Sequence, residues 1–288
     1  MRKLFIACLA MAAVLVPATA ATAAPTGEYA RFANCPYTNP ATNLCIYAET
    51  VSGLVKTGNK TVPIKNKVIL QGGAHYVIPE EPAGPLEFIG ATNGETLSKS
   101  PQPVPGGLTG ITAPSWWPSF LRNLFNETIN NGFTGVTATM ELAGPPSAIK
   151  LNLTNTLAAQ GTALGMPVKI KLSNTFLGNN CYIGSNSNPI QLNLTTGTTA
   201  PPPPNQPISG SPGHPEGKDG GTLLIVKENK LVNNSFSVPG ANGCGGLFSF
   251  LIDPFVDSIV GIPSPAGNNA AILEGTTYLG DPAVVSQP

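Results

Sequence analysis

Two histidines, five cysteines and fifteen carboxylates are the side chains of this sequence with catalytic or ligating chemistry to offer. A serine hydrolase needs a nucleophile, a base and a group that orients the base. There is no G-x-S-x-G, and Gly210-Ser211-Pro212-Gly213 has the wrong spacing and a proline after the serine. His75 follows Gly72-Gly73-Ala74 where a strand is expected to end, a position open to a site, although it reads first as an exposed loop histidine. His214-Pro215-Glu216 with Asp219 offers metal-ligating side chains but no second histidine. The same stretch fails as a phosphate loop: Pro212 stands where the first glycine must be, and Asp219 where Ser or Thr must follow Lys218. Glycoside hydrolysis needs two carboxylates across one bond. Glu49, Glu87, Glu141 and Glu274 fall on expected strands and read as solvent-facing partners of lysines. Asp253 and Asp257, four apart on an expected helix, read as a solvated face, and Glu80-Glu81 as a solvated turn. The sequence therefore assigns no catalytic, cofactor-binding or metal-binding residue.

The cysteines have a clearer reading, which depends on the first residues of the chain. Arg2 and Lys3 precede an apolar run from Leu4 to Val16, and Ala21-Thr22-Ala23-Ala24-Pro25 supplies a small-residue cleavage site. This predicts a signal peptide over residues 1–23 and a secreted, extracellular chain over 24–288. The run is shorter than the roughly 20 residues of a membrane span. Cys8 lies inside it, too early for a lipid-bearing cysteine, so no membrane anchor is expected. Cleavage leaves Cys35, Cys45, Cys181 and Cys244, an even set in an oxidising compartment, which predicts two disulfides. Of the three connectivities we favour Cys35–Cys45, closing a loop around Pro36 and Pro40, and Cys181–Cys244, joining two similar Asn/Gly-rich contexts. Loop-closure entropy is then worth roughly 2–3 kcal/mol for the first and about 4 kcal/mol for the second.

Only 10% of residues are charged and the formal net charge is zero, with no basic patch, so nucleic acid is not an expected partner. A cell-wall component or an extracellular protein remains open as one. With 32 Gly and 30 Pro beside 41% hydrophobic residues, the composition favours many turns and short strands over long helices. Strands are expected over 45–51, 53–56 and 60–64, the last two joined by a hairpin at Thr57-Gly58-Asn59, with Pro63 marking an edge. A further strand over 67–71 should end at Gly72-Gly73. Prolines make 79–114 mostly loop, with one short strand at 86–89.

A helix is expected from Ser115 as N-cap, with Trp117, Phe120, Leu121, Leu124, Phe125 and Ile129 as its core-facing stripe. That leaves Trp116 as the one indole free for a carbohydrate or membrane-surface contact. Alternating apolar residues at 136–142, 149–153, 168–172 and 190–194 predict half-buried strands. Strands are also expected at 223–226, 235–238 and from 270, with a short helix over 247–260 interrupted at Pro254. The Pro-rich stretch 199–221 has linker composition, but a Cys181–Cys244 bond would cross it, so it reads as a surface loop of one domain. The fold class predicted is mainly β: an antiparallel sandwich- or barrel-like sheet domain with one or two short helices and long Pro/Gly-rich loops.

Several strings, among them Tyr29-Ala30-Arg31-Phe32-Ala33-Asn34-Cys35-Pro36, Gly58-Asn59-Lys60-Thr61-Val62-Pro63-Ile64, Glu141-Leu142-Ala143-Gly144-Pro145-Pro146 and Cys181-Tyr182-Ile183-Gly184-Ser185, resemble a group of uncharacterised secreted proteins of actinobacteria. The resemblance implies a Gram-positive exporter and one unit across the Pro-rich stretch. It carries no site residues with it. The leading functional expectation is a non-enzymatic binding or structural protein at or beyond the cell wall. The alternatives are a hydrolase of an extracellular polymer or ester, using carboxylates from different strands or His75, and a carrier of an apolar ligand in a β cavity.

Overall fold

The computed structural model describes residues 24–77, 84–107, 113–131 and 134–287, with the side chains of 126–131 outside the description. The expected signal peptide and the Glu80-Glu81 turn lie outside the described residues. In chain order the elements are β1 (Leu44–Thr57), β2 (Lys60–Pro63), β3 (Val68–Tyr76), β4 (Leu86–Gly90), β5 (Gln102–Pro103), α1 (Ser119–Asn131) and β6 (Thr137–Leu142). Then come β7 (Lys150–Leu151), α2 (Leu153–Ala158), β8 (Leu164–Ser173), β9 (Tyr182–Ile183), β10 (Ile190–Leu194) and β11 (His214–Lys218). The chain closes with β12 (Leu223–Asn233), β13 (Ala241–Asn242), α3 (Ser249–Val260), β14 (Ala270–Gly280) and α4 (Pro282–Val285).

The fold is mainly β, as the sequence predicts. Fourteen antiparallel strands form one sheet, ordered β11-β12-β14-β1-β3-β4-β7-β8-β6-β5, with β2, β9, β10 and β13 paired off that path. The last strand, β14, lies between β1 and β12, so strands from both sides of 199–221 share the sheet. The sheet is not closed into a barrel. It curls, however, until Thr195, just past β10, exchanges two backbone hydrogen bonds of 2.9 and 2.8 Å with Val232 of β12. The β1/β3/β12/β14 wall thus faces the β6/β8 wall across the main core, which includes Ile46, Leu70, Phe88, Met166, Val168 and Ile170.

A bulge makes the long inner wall possible. Up to Thr50, β1 turns its even-numbered residues inward, Ile46 and Ala48 among them. The register with β14 shifts between Thr50 and Ser52, and beyond it Val55 and Thr57 point inward. One extra residue flips the alternation, so both halves of a 14-residue strand keep an apolar inner face. The opposite face of the same strands carries a second, smaller core of Phe32, Cys35, Cys45, Leu223, Ile225 and Val285. The 3-10 turn Gly27–Phe32 and α4 supply the covering groups.

The structure corrects several local expectations. β3 continues through Gly72-Gly73; Gly72 sits at φ +149°, and a Cβ there would lie 2.5 Å from the Ile89 carbonyl oxygen, so the glycine permits the close strand approach instead of ending the strand. α1 begins at Ser119, after Pro118, leaving Ser115 to Trp117 in the preceding turn. Of its expected core stripe, Phe120 is 67% and Leu124 61% exposed, Trp117 and Phe125 are half-buried, and the Ile129 side chain lies outside the description. The strand expected through Leu153 gives way to α2, because Asn152 caps a helix there, its side chain accepting from the Asn155 amide at 2.8 Å. Pro254 lies inside α3 without interrupting it; the carbonyl it leaves without a donor is that of exposed Phe250. Residues 214–218, expected as loop, form the edge strand β11. The expected strand at 235–238 is reduced to a single bridge, Val238 to Ser264.

Candidate functional site

The candidate catalytic groups do not converge. His75 and Glu87 are cross-strand partners on the outer face of β3 and β4, with His75 Nε2 3.6 Å from Glu87 Oε2, and Lys150 pairs with the same carboxylate. His75 Nδ1 is buried and has no hydrogen-bond partner among the described residues. Glu49 pairs with Lys67 at 2.7 Å, Glu274 accepts from Ser52 at 3.0 Å and faces Lys230 at 3.7 Å, and Glu141 hydrogen-bonds the Tyr182 hydroxyl. Burial first, and the Glu141 charge second, push that phenol up. His214 lies exposed, 3.7 Å from Glu228. Among the described residues no three His, Cys, Asp or Glu side chains gather as metal ligands would.

Asp253 and Asp257 are not the solvated face that their spacing suggests. Asp253 accepts from the amides of Gly243 and Cys244 at 3.2 and 2.8 Å, and Asp257 from the amide of Ala241 at 2.7 Å. They fasten α3 to the segment that carries Cys244. Cys244 lies at disulfide distance from Cys181, with Cα atoms 4.0 Å apart, and Cys35 and Cys45 do the same at 5.5 Å. Both pairings are the favoured ones. The first ties α3, β13 and the turn after β8 into one end of the molecule.

That end closes over a cleft. One wall is β6 and β8, through Ala138, Met140, Ile170 and Leu172, with Val136 just before β6; the facing wall is the β1–β2 hairpin, through Val55, Thr57, Lys60 and Val62; the cap is α3, through Val256, Ile259 and Val260. The cleft offers about 80 Å³ to the centres of water-sized molecules and opens to solvent. Two further, separate spaces lie along the interior, mostly apolar, with Glu49 and Asn229 among the lining of the second. The second shares Ile64, Val68 and Met140 with the cleft, and the third shares Ala48, Leu70 and Leu164 with the second. Nine strand rises separate Ile46 from Val55 on β1, so the three spaces are set along about 30 Å of that strand.

Sequence explains the shape. The strict alternation in β6 and β8 sends one apolar series inward from each strand, and several inner positions are small: Ala48, Ala138 and Gly275. The hairpin tip is locked to the cap. The Asn59 amide donates to the Val260 carbonyl at 2.7 Å, and the Gly58 amide to Asn269 Oδ1 at 2.9 Å. At φ +54°, a Cβ on Gly58 would meet the Val260 and Gly261 oxygens at 2.4 Å, so only glycine fits between hairpin and helix. This contact sets Lys60, the first residue of β2, at the cleft. Burial lowers the Lys60 ammonium from its ordinary value.

Sequence reasoning did not find this site. Its lining is ordinary core sequence, and its one charged residue sits in a hairpin that looks solvent-exposed. The apolar strands and low charge were the only sequence signal for a cavity. No protein-family model matches the chain, and comparison with curated proteins and with solved structures likewise gives no match. Among the described residues no helix is long and apolar enough to cross a membrane.

Proposed function

We propose that this is an exported, non-enzymatic binding protein that holds an apolar ligand in the cleft between the β1–β2 hairpin and the β6/β8 wall. The carrying observation is the cleft itself, an open concavity walled largely by apolar side chains. Ligand sites are concave, largely apolar spaces with a few placed polar groups. Protein interiors otherwise pack densely, and unfilled apolar space costs stability. The two disulfide pairs support export into an oxidising compartment, in line with the leader-like start of the chain. The dispersal of Glu49, Glu87, Glu141, Glu274 and Asp253 onto separate partners favours binding over hydrolysis.

The test is native mass spectrometry of the oxidised full-length protein purified from its own secretion medium, followed by titration with an environment-sensitive apolar dye. The expected outcome is a co-purified apolar adduct or saturable dye binding at one site. Ala138→Trp, which fills the cleft, should lower dye affinity by at least about tenfold while keeping a cooperative unfolding transition. Dye binding unchanged by Ala138→Trp would sink the proposal.

A further inference from the structure

Lys60 is the single charged side chain among the described residues that line the cleft. No acidic group among the described residues is within ion-pair distance of it; each of the ion pairs formed uses another lysine or a histidine. Burial is the sole cause of its lowered pKa, with no opposing charge to offset it. Among the other polar side chains of the cleft, Gln102, Ser98 and Ser100 are engaged. Gln102 accepts the amides of Lys65 and Asn66 at 2.8 and 2.9 Å and donates to the Asn66 carbonyl at 2.6 Å. The Ser98 and Ser100 hydroxyls bond each other at 2.9 Å, and Ser98 also accepts the Ile69 amide at 2.8 Å. An ammonium has three donors and no acceptor. One half-buried cation, with its donors unspent, therefore stands at one end of a row of three largely apolar spaces set along about 30 Å of β1.

We infer that the ligand is an amphiphile, with one anionic headgroup, carboxylate or phosphate, seated at Lys60 and a long apolar chain lying along the interior toward β12 and β14. The inference rests on the apolar-ligand reading above. The geometry gives each part of such a molecule its place. The headgroup supplies the countercharge that Lys60 lacks, in a setting where a charge-assisted hydrogen bond is stronger than in water. The chain displaces water from the spaces lined by Val68, Met140, Leu70 and Leu164. Met140 and Val68 stand between the first space and the second, and the unbranched Met140 side chain can swing aside for a chain to pass.

The experiment is isothermal titration of the oxidised full-length protein with palmitate, hexadecyl phosphate and hexadecanol, which share a tail and differ in headgroup. At least one of the two anions should bind about tenfold or more tighter than the alcohol; which one does separates a fatty-acid source from a phospholipid-type source. Lys60→Gln should bring the anion down to the alcohol's affinity and leave the alcohol unchanged, and Lys60→Arg should keep most of the preference. Anion affinity should also fall as pH rises through the Lys60 titration while alcohol affinity stays flat, a readout that a merely structural lysine would not move. Equal binding of alcohol and anions, indifferent to Lys60→Gln, overturns the headgroup assignment and leaves the cavity reading intact: Lys60 then only extends its ammonium to water. Failure of all three probes overturns both.

Discussion

The two faces of the β1/β12/β14 wall are built from alternate residues of the same strands, yet they pack differently. The outer face is filled. Phe32, Cys35, Cys45, Leu223, Ile225 and Val285 form a closed cluster under the N-terminal turn and α4, edged by Tyr29, Tyr37, Tyr47 and Tyr278, with the Arg31 guanidinium 3.6 Å over the Tyr278 ring. The inner face keeps open space. Ala48, Gly275 and Thr277 face it from these strands, and Ala138 and Met140 from across. Each face has its own disulfide, Cys35–Cys45 outside and Cys181–Cys244 inside. The difference teaches that hydrophobicity alone does not make a core: large residues meeting a cover fill one face, and small residues meeting a second, distant wall leave room on the other.

The sharpest way to break this comparison is truncation. Phe32→Ala on the filled face should cost about 3–5 kcal/mol of unfolding free energy. Met140→Ala, which enlarges a space already present, should cost nearer about 1 kcal/mol. Equal losses in urea titrations would mean that the interior is packed after all.

Next come the disulfides. Removing Cys181–Cys244 by double Ser substitution should cost about 4 kcal/mol and removing Cys35–Cys45 roughly 2–3 kcal/mol. Only the first should also weaken ligand binding, because only it anchors the end where α3 caps the cleft. Ligand affinity that responds equally to both removals would show that the two faces are coupled, not separate.

The smallest effect concerns Lys60. Its folded pKa is depressed below the ordinary 10.5, so the fold disfavours the charged form. The stabilising balance is complete above the unfolded value and is lost as pH falls through the folded one. Unliganded Lys60→Gln should therefore be slightly more stable than the parent at pH 7, with the gap closing as pH rises toward 10.5. A Lys60→Gln variant less stable at neutral pH would reveal a partner for the ammonium and remove the inner face's unpaired cation.

Much of the fold was legible in the sequence. The hairpin around Gly58-Asn59, the edge position of Pro63 and the alternation in β6, β8 and β10 are local signals, and local sterics enforce them. Other signals misled. Gly72 resembles a strand end and is a close-approach site; Asp253 and Asp257 resemble a wet helix face and accept from the amides of residues 241, 243 and 244; Phe120, Leu121 and Leu124 resemble a core face and are exposed. For Gly72 and the two aspartates, the partner that decides the role lies on another element.

The sequence by itself determined the strand-rich character, the four cysteines that pair and the alternating inner faces, because each follows from residue type and short-range period. It could not say which inner faces would meet. Only the tertiary structure decided that. The bulge in β1, the placing of β14 between β1 and β12, and the lock between Gly58 and α3 set two apolar walls apart instead of together, and stood Lys60 between them. The physical reason is that a cavity is a property of separations between strands distant along the chain, and no local pattern encodes a distance that only the assembled sheet defines.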